Sequence, residues 1–391
     1  MEFEYWWFLI FPLFFGLGWL AARVDIRHLL SESRSVPASY FKGLNFLLNE
    51  QPDKAIEAFL DAAKSGTETI DLQFALGGLF RRRGEVERAI RMHQSLLDRV
   101  DLIEDQRLAA LYELAQDYLK AGLFDRAEQM FGQLLDTHYA KQAYDSLLEI
   151  YVREKDWLKA VETAHELETI SDQSYAKEIS QFYCEMAAGE SLHGNATKAR
   201  AYLEAALESN RKSVRANMML GDLETAQSQH ERAIEAWNKI EMQSPSHLSL
   251  VAERLLAGYS ELGKAVEGLA LLRGYLERYP SLDLLSVVYQ KLMEGEGPAA
   301  AYKMVRDELR RNPTLLGLDK LLEAQLVEAP PERRQDMQLI KNLVHQHAQR
   351  LALYQCDNCG FKARQFYWHC PACGGWDTYP PRRSEECLTQ K

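Results

Sequence analysis

Four cysteines near the end of the 391-residue chain, Cys356, Cys359, Cys370 and Cys373, are the residues best placed by type and spacing to do chemistry. The stretch YQCDNCGFKARQFYWHCPACGGW (354–376) sets them as two Cys-x2-Cys pairs. An x2 spacing lets two thiolates reach one ion from a tight turn, and two such turns complete a tetrahedron. Gly360 and Gly374 follow the pairs, where a tight knuckle calls for positive φ. Four thiolates take one zinc or one iron ion per chain, and ligand type alone leaves that choice open. Metal binding supplies roughly 10–16 kcal/mol in structural zinc sites, enough to order so short a segment. Clustering four of the six cysteines in this way argues against a disulfide framework and for a reducing compartment.

The pattern C-x-x-C-G-F followed by C-P-A-C-G resembles the rubredoxin-type knuckle pair, with a much shorter gap between the pairs. The missing loops, which in rubredoxins shield the iron, weigh against electron transfer. Tyr354, Phe361, Phe366, Tyr367, Trp368, Trp376 and Tyr379 surround the cysteines. A ribbon this small cannot bury so many rings alone, so it is expected to dock on the rest of the chain and order a binding groove. Nucleic-acid stacking is the competing use of the rings. Residues 352–391 carry five Lys or Arg against four Asp or Glu, and a zinc ion held by four thiolates adds negative charge, so no nucleic acid is expected.

Other constellations fall away. A complete set of four thiolates leaves His369 no ligand position, so it is expected beside the site or at the surface. His345 and His347 are two apart and point to different helix faces. HELET at His165 lacks the second histidine of a zinc-protease helix, and there is neither a phosphate-binding loop nor a Gly-x-Ser-x-Gly elbow. Cys184, among apolar neighbours, reads as core, and Cys387 falls in a polar tail expected to be mobile. No catalytic residue emerges, and the chain is not expected to be an enzyme.

The elements that must position the cysteines repeat. KGLNFLLNEQPDKAIEAF (42–59), LGGLFRRRGEVERAIRMH (76–93), LAQDYLKAGLFDRAEQMF (114–131) and LLEIYVREKDWLKAVETA (147–164) share one plan. Each is a helical stretch, a polar turn, and a second helix centred on a small residue. That residue recurs at Ala55, Ala89, Ala127, Ala160, Ala199, Ala233, Gly268 and Ala301, with gaps of 33 to 39. The period resembles the tetratricopeptide repeat. Twelve positions earlier the family pattern places a small residue where two helices cross; Gly43, Gly77, Ala115, Ala187 and Gly221 fit, whereas Leu148, Leu256 and Tyr289 do not. A lone helix pair cannot bury its apolar face, but stacked pairs share a core and form a solenoid. Candidate residues for a partner-binding groove are Arg81, Arg82, Tyr112, Lys120, Arg153 and Arg215.

The expected fold is therefore all-α with a small metal ribbon, and six tracts are assigned. They are an N-terminal transmembrane anchor (1–23), a linker (24–37), about eight tetratricopeptide repeats (38–313), capping helices (314–353), the rubredoxin-like domain (354–379) and the mobile tail (380–391), with the polar joint SESRSVP inside the linker. The anchor rests on the uncharged run Tyr5 to Ala22, about 27 Å long as a helix against a hydrocarbon core of about 30 Å. Arg23, Arg27 and Arg34 follow it, which places a single-pass protein with its C-terminal bulk in the cytoplasm. The net charge of −11 also argues against a general nucleic-acid binder.

Anchor, solenoid and ribbon in this order resemble the lipopolysaccharide assembly protein B (LapB/YciM) family over the whole chain. The specific stretches are YFKGLNFLLNEQPDKAIEAF (40–59), LGGLFRRRGEVERAIRMHQSLL (76–97), AGLFDRAEQMF (121–131), FYCE (182–185) and YWHCPACGGW (367–376). The resemblance implies an inner-membrane adaptor that regulates lipopolysaccharide synthesis. Its implied partners are the membrane protease FtsH, the LpxC deacetylase whose turnover it promotes, and the lipopolysaccharide transport machinery. At residue level it carries over only Cys356, Cys359, Cys370 and Cys373 as metal ligands. A structural scaffold for transport complexes, without control of proteolysis, stays open, as do a rubredoxin-like electron-transfer role and homo-oligomerisation.

Overall fold

A computed structural model describes residue 19, residues 38–64 and residues 69–389. The expected anchor and linker lie outside the described residues, apart from Trp19. Among the described residues no helix is long and apolar enough to cross a membrane.

The chain divides into two compact units, 1–154 and 155–391. The first holds α1 (Ala38–Leu48), α2 (Pro52–Lys64), α3 (Ile70–Arg83), α4 (Val86–Leu97), α5 (Glu104–Ala121), α6 (Phe124–Gly132) and α7 (Ala140–Glu154). The second begins with α8 (Trp157–Ile170), α9 (Ala176–Leu192), α10 (Ala196–Ser209), α11 (Val214–Ala226) and α12 (His230–Gln243). A 3-10 turn, Pro245–His247, leads to α13 (Leu248–Glu261), α14 (Ala265–Arg278), α15 (Leu282–Gly295) and α16 (Pro298–Arg311). Then come α17 (Leu315–Glu328), α18 (Pro331–Ala348), the strands β1 (Tyr354–Gln355) and β2 (Lys362–Ala363), and α19 (Ser384–Thr389). The described residues thus form a mostly helical tetratricopeptide solenoid ending in a small ribbon, as the period predicts.

Local chemistry sets the helix limits. Thr69, Asp156, Ser213, Ser281 and Thr314 each accept a backbone N–H of the helix that follows, satisfying a donor the helix leaves open. Between the two helices of a pair the chain reverses through one residue of positive φ. Glu50, Gly84, Gly122, Lys155, Gly194, Ser228 and Gly263 all take this conformation, each five positions before the recurrent small residue. Gly84 and Gly122 adopt it without a Cβ penalty, and their N–H groups close onto carbonyls of the preceding turn.

Where the small residue of a first helix is glycine, it has a steric cause. A Cβ built on Gly43 would stand 2.5 Å from Phe59, on Gly77 2.3 Å from His93, and on Gly221 2.2 Å from Trp237. In each case the large residue lies sixteen positions on, in the second helix, and is fully buried over the glycine. Trp237 completes its burial by donating its indole N–H to the Met218 carbonyl at 3.1 Å. In the second unit one core runs from Val214 to Ala324 through α11 to α17, and Trp368 of the ribbon packs against it.

Candidate metal centre and its docking on the repeats

Two equivalent turns bring the cysteines together. In the first, the Gly360 N–H reaches the Cys356 carbonyl at 2.9 Å and the Cys356 N–H reaches the Phe361 carbonyl at 2.9 Å. The second repeats both bonds with Gly374, Cys370 and Gly375, again at 2.9 Å. Gly360 and Gly374 have φ of 75° and 68°, the left-handed geometry each knuckle demands. β1 pairs antiparallel with β2 to hold the first knuckle, and His369 bridges to Trp376 across the second.

The four Sγ atoms lie within 4.8 Å of one another. Cys356 and Cys373 are 3.8 Å apart, and Cys359 and Cys370 3.7 Å. Four thiolates at about 2.3 Å from one ion in a tetrahedron stand about 3.8 Å apart, so the cluster fits a zinc or iron ion. Cys356 and Cys370 are buried, while Cys359 and Cys373 lie nearer the surface. Burial opposes ionisation of Cys356, but the Thr378 hydroxyl and the N–H groups of Cys359 and Asn358 outweigh it and bring this thiol down to about 6. The Gly375 N–H and the Asn358 amide lower Cys373. The Phe361 N–H favours the thiolate of Cys359, yet desolvation and the neighbouring sulfurs push it up to about 12. Crowded thiolates of this kind are relieved by a divalent cation.

The ribbon sits against first helices of successive repeats. Gln181 of α9 donates to both carboxylate oxygens of Asp377, at 3.1 and 3.0 Å. Arg215 of α11, held by Gln181 at 3.1 Å and Glu185 at 2.8 Å, lies over Trp368 and Trp376. His247, just before α13, stacks on Trp368 with its ring nearly parallel at 5.7 Å. Asp283 of α15 accepts from the Tyr354 hydroxyl at 2.6 Å and pairs with Arg383 at 2.7 Å. Trp376 meets Trp157 and Phe182 edge-on at 6.2 and 6.0 Å. The expected docking of the aromatic shell is therefore present. Only Phe361 among the seven rings stays exposed.

The tail departs from expectation. Residues 380–386 fold back instead of trailing free, because two carboxylates find open helix N-termini. Glu385 accepts the N–H groups of Leu315 and Leu316 at the start of α17. Glu386 accepts that of Leu282 at the start of α15, at 2.9 Å. Anionic side chains are stabilised there by the helix dipole. Neither glutamate was singled out by spacing, since the signal needs the helix start they cap. The side chain of Cys387 lies outside the described residues.

The proposed groove residues separate into classes. Arg81 is tied to Glu113 and, at 2.8 Å, to Asp117, which in turn holds the buried His93 at 2.5 Å. Arg215 is taken up by the ribbon. Tyr112 stacks on Tyr139 at 5.1 Å and accepts from Gln116. Arg82, Lys120 and Arg153 are exposed. Cys184 is fully buried, and burial pushes its thiol up to about 12, as a core position requires. His345 pairs with Asp319 at 3.0 Å. His369 stacks on Trp376 at 4.3 Å beside the cysteines.

Stacked helix pairs closed by a four-cysteine ribbon define a tetratricopeptide-repeat protein with a rubredoxin-like metal-binding module. Comparison with known proteins agrees: a tetratricopeptide repeat family matches residues 112–175 and 193–247, and a rubredoxin metal binding domain family matches residues 354–381. Lipopolysaccharide assembly protein B of Escherichia coli strain K12 is 34% identical over 384 residues, covering 97% of this chain and 99% of that protein. Its namesake from Haemophilus influenzae is 30% identical, covering 97% and 98%. The chain belongs to the lipopolysaccharide assembly protein B family. Among solved structures, one from the Naa15/Naa10 complex bound to HypK-THB aligns with a TM-score of 0.41 at 15% identity, over 80% of this chain and 47% of that one. The family is of scaffold type, named for assembly and built on repeats, and its members are not enzymes.

Proposed function

We propose that the protein is an inner-membrane adaptor of lipopolysaccharide assembly that links the FtsH protease to turnover of the LpxC deacetylase. The observation that carries this reading is the ribbon lying across first helices of successive repeats, from Gln181 to Asp283. A clamp over several repeats restrains how they stack, and stacking sets the shape of the surface a solenoid offers to partners. Family membership supports the assembly role, and the run Tyr5 to Ala22 supports the anchor. An anchored adaptor raises the effective concentration of a bound substrate near a membrane protease, as any tether does.

In this reading Cys356, Cys359, Cys370 and Cys373 hold one zinc or iron ion. The ion supplies cross-linking of the two knuckles and no reaction. The chain's own residues do the rest. Tyr354, Arg215 and Asp377 carry the ordered ribbon onto α9, α11 and α15, and Glu385 and Glu386 lock its exit.

The test is the half-life of LpxC after translation is blocked, with and without this protein. The adaptor reading expects a longer half-life on depletion, restored by wild type and not by Cys356→Ser with Cys359→Ser. An unchanged half-life on depletion overturns it and leaves the scaffold for transport complexes.

A further inference from the structure

Arg82, Lys120 and Arg153 occupy one position in three successive first helices, five residues past Gly77, Ala115 and Leu148. These helices, α3, α5 and α7, pack side by side in the first unit, so the three cations form a row across them. All three are exposed. Among the described residues Arg153 has only the exposed Glu149 one turn back as an ion-pair partner. Arg82 and Lys120 form no ion pair among the described residues. The neighbours of Arg82 differ: Arg81 is committed to Glu113 and Asp117, and Arg83 pairs with Asp53 at 3.1 Å and Glu85 at 2.9 Å.

Arg82 also stands between two cavities of about 340 and 330 Å3. Leu47 and Leu79 line both, and Phe74 and Gly78 line the first. A row of cations, two of them without an ion pair among the described residues, on a chain of net charge −11 marks a place for an anion. The row is single and its members sit one repeat apart, which matches the reach of an extended chain. The adjoining open cavity sets Leu47, Phe74 and Leu79 beside Arg81 and Glu113, with room for one side chain. A phosphate-dense lipid surface fits less well, since Glu113 and Glu149 stand among the cations.

We propose that this face receives an extended acidic segment of a partner protein, with carboxylates opposite Arg82, Lys120 and Arg153 and an apolar side chain in the cavity beside Phe74. The inference rests on the adaptor reading and supplies the chemistry of its partner.

Gly78 provides the probe position, because a Cβ there meets nothing within 4 Å. Full-length protein with Gly78→p-benzoylphenylalanine is photo-crosslinked in cells and the joined peptide is sequenced. The expected product is a segment of another protein with two or more Asp or Glu near an apolar residue. Arg82→Glu with Lys120→Glu, folded by circular dichroism, abolishes the crosslink. A synthetic copy of the segment binds the full chain, loses about tenfold or more in affinity to the double variant, and regains it when its acids become lysines. Crosslinks to lipid, to residues 1–37, to a second copy or to a neutral or basic segment overturn the inference, as do no crosslink or one indifferent to charge reversal. If the double variant still supports normal LpxC turnover, this inference fails while the adaptor reading stands. An unchanged half-life on depletion fails the adaptor reading whatever the crosslink shows.

Discussion

Arg383 closes onto Asp283 at 2.7 Å across one hundred residues of chain, with its guanidinium also 3.9 Å above the Tyr354 ring. Both members of the pair are about four-fifths buried, and Tyr354 donates to the same carboxylate. One carboxylate thus ties α15 to both the entry and the exit of the ribbon. Removing either partner leaves a charge with little water around it. A double-mutant cycle of Asp283→Asn and Arg383→Gln, followed by ribbon release in denaturant, is expected to give a coupling of about 1–3 kcal/mol. Additive effects would mean that the ribbon is held elsewhere.

Removing the metal tests the staple directly. Cys356→Ser with Cys359→Ser, or a strong chelator, is expected to leave the far-ultraviolet helical signal of the repeats in place. The near-ultraviolet signal of Trp368 and Trp376 is expected to fall, because those rings are ordered against Arg215, His247 and Phe182. Elemental analysis of the wild type is expected to return one zinc or iron per chain. Collapse of the helical signal together with the metal would contradict a ribbon added to an independently stable solenoid.

Acid should loosen the same contact. His247 is pushed down to about 4 by burial, with Arg382 adding repulsion. Below its ordinary value of 6.5 the released imidazole takes a proton that the docked one refuses. Docking stability is therefore fully present above pH 6.5 and lost as pH falls toward 4, by up to about 3 kcal/mol. Tryptophan fluorescence through a pH titration reads this. His247→Phe keeps an aromatic face for Trp368 and is expected to flatten the profile between pH 6.5 and 5. An identical profile in the variant would assign the acid response to other groups.

Two glycines should respond oppositely to one methyl group. Gly221→Ala drives a carbon to within 2.2 Å of the Trp237 indole, which is itself fully buried. Overpacking of this kind costs about 1–3 kcal/mol and should lower Tm. Gly274 in α14 has open space at the same point, and Gly274→Ala should stabilise by about 0.5–1 kcal/mol through helix propensity. Thermal melts of the two variants check both signs.

Much of this architecture was legible because its determinants are local. A reversal residue five places before seven of the eight small residues and a large side chain sixteen places after each crossing glycine are short-range relations that recur with the period. The cysteine pairs are legible for the same reason, since each knuckle closes within five residues. The polar composition of the tail describes a solvated segment, while Glu385 and Glu386 gain their stability from helix starts about seventy and one hundred residues away. Arg215 lies on a first helix, where a groove residue is expected, but its face is covered by Trp368 and Trp376.

By itself the sequence determined the helix pairs, their period and the four sulfurs able to share one ion, because each depends on neighbours a few residues to one repeat apart. Only the tertiary structure decided where the ribbon rests. Gln181 meets Asp377 across 196 residues, and no periodicity links them. What joins them is the shape and charge that α9, α11 and α15 present only after stacking.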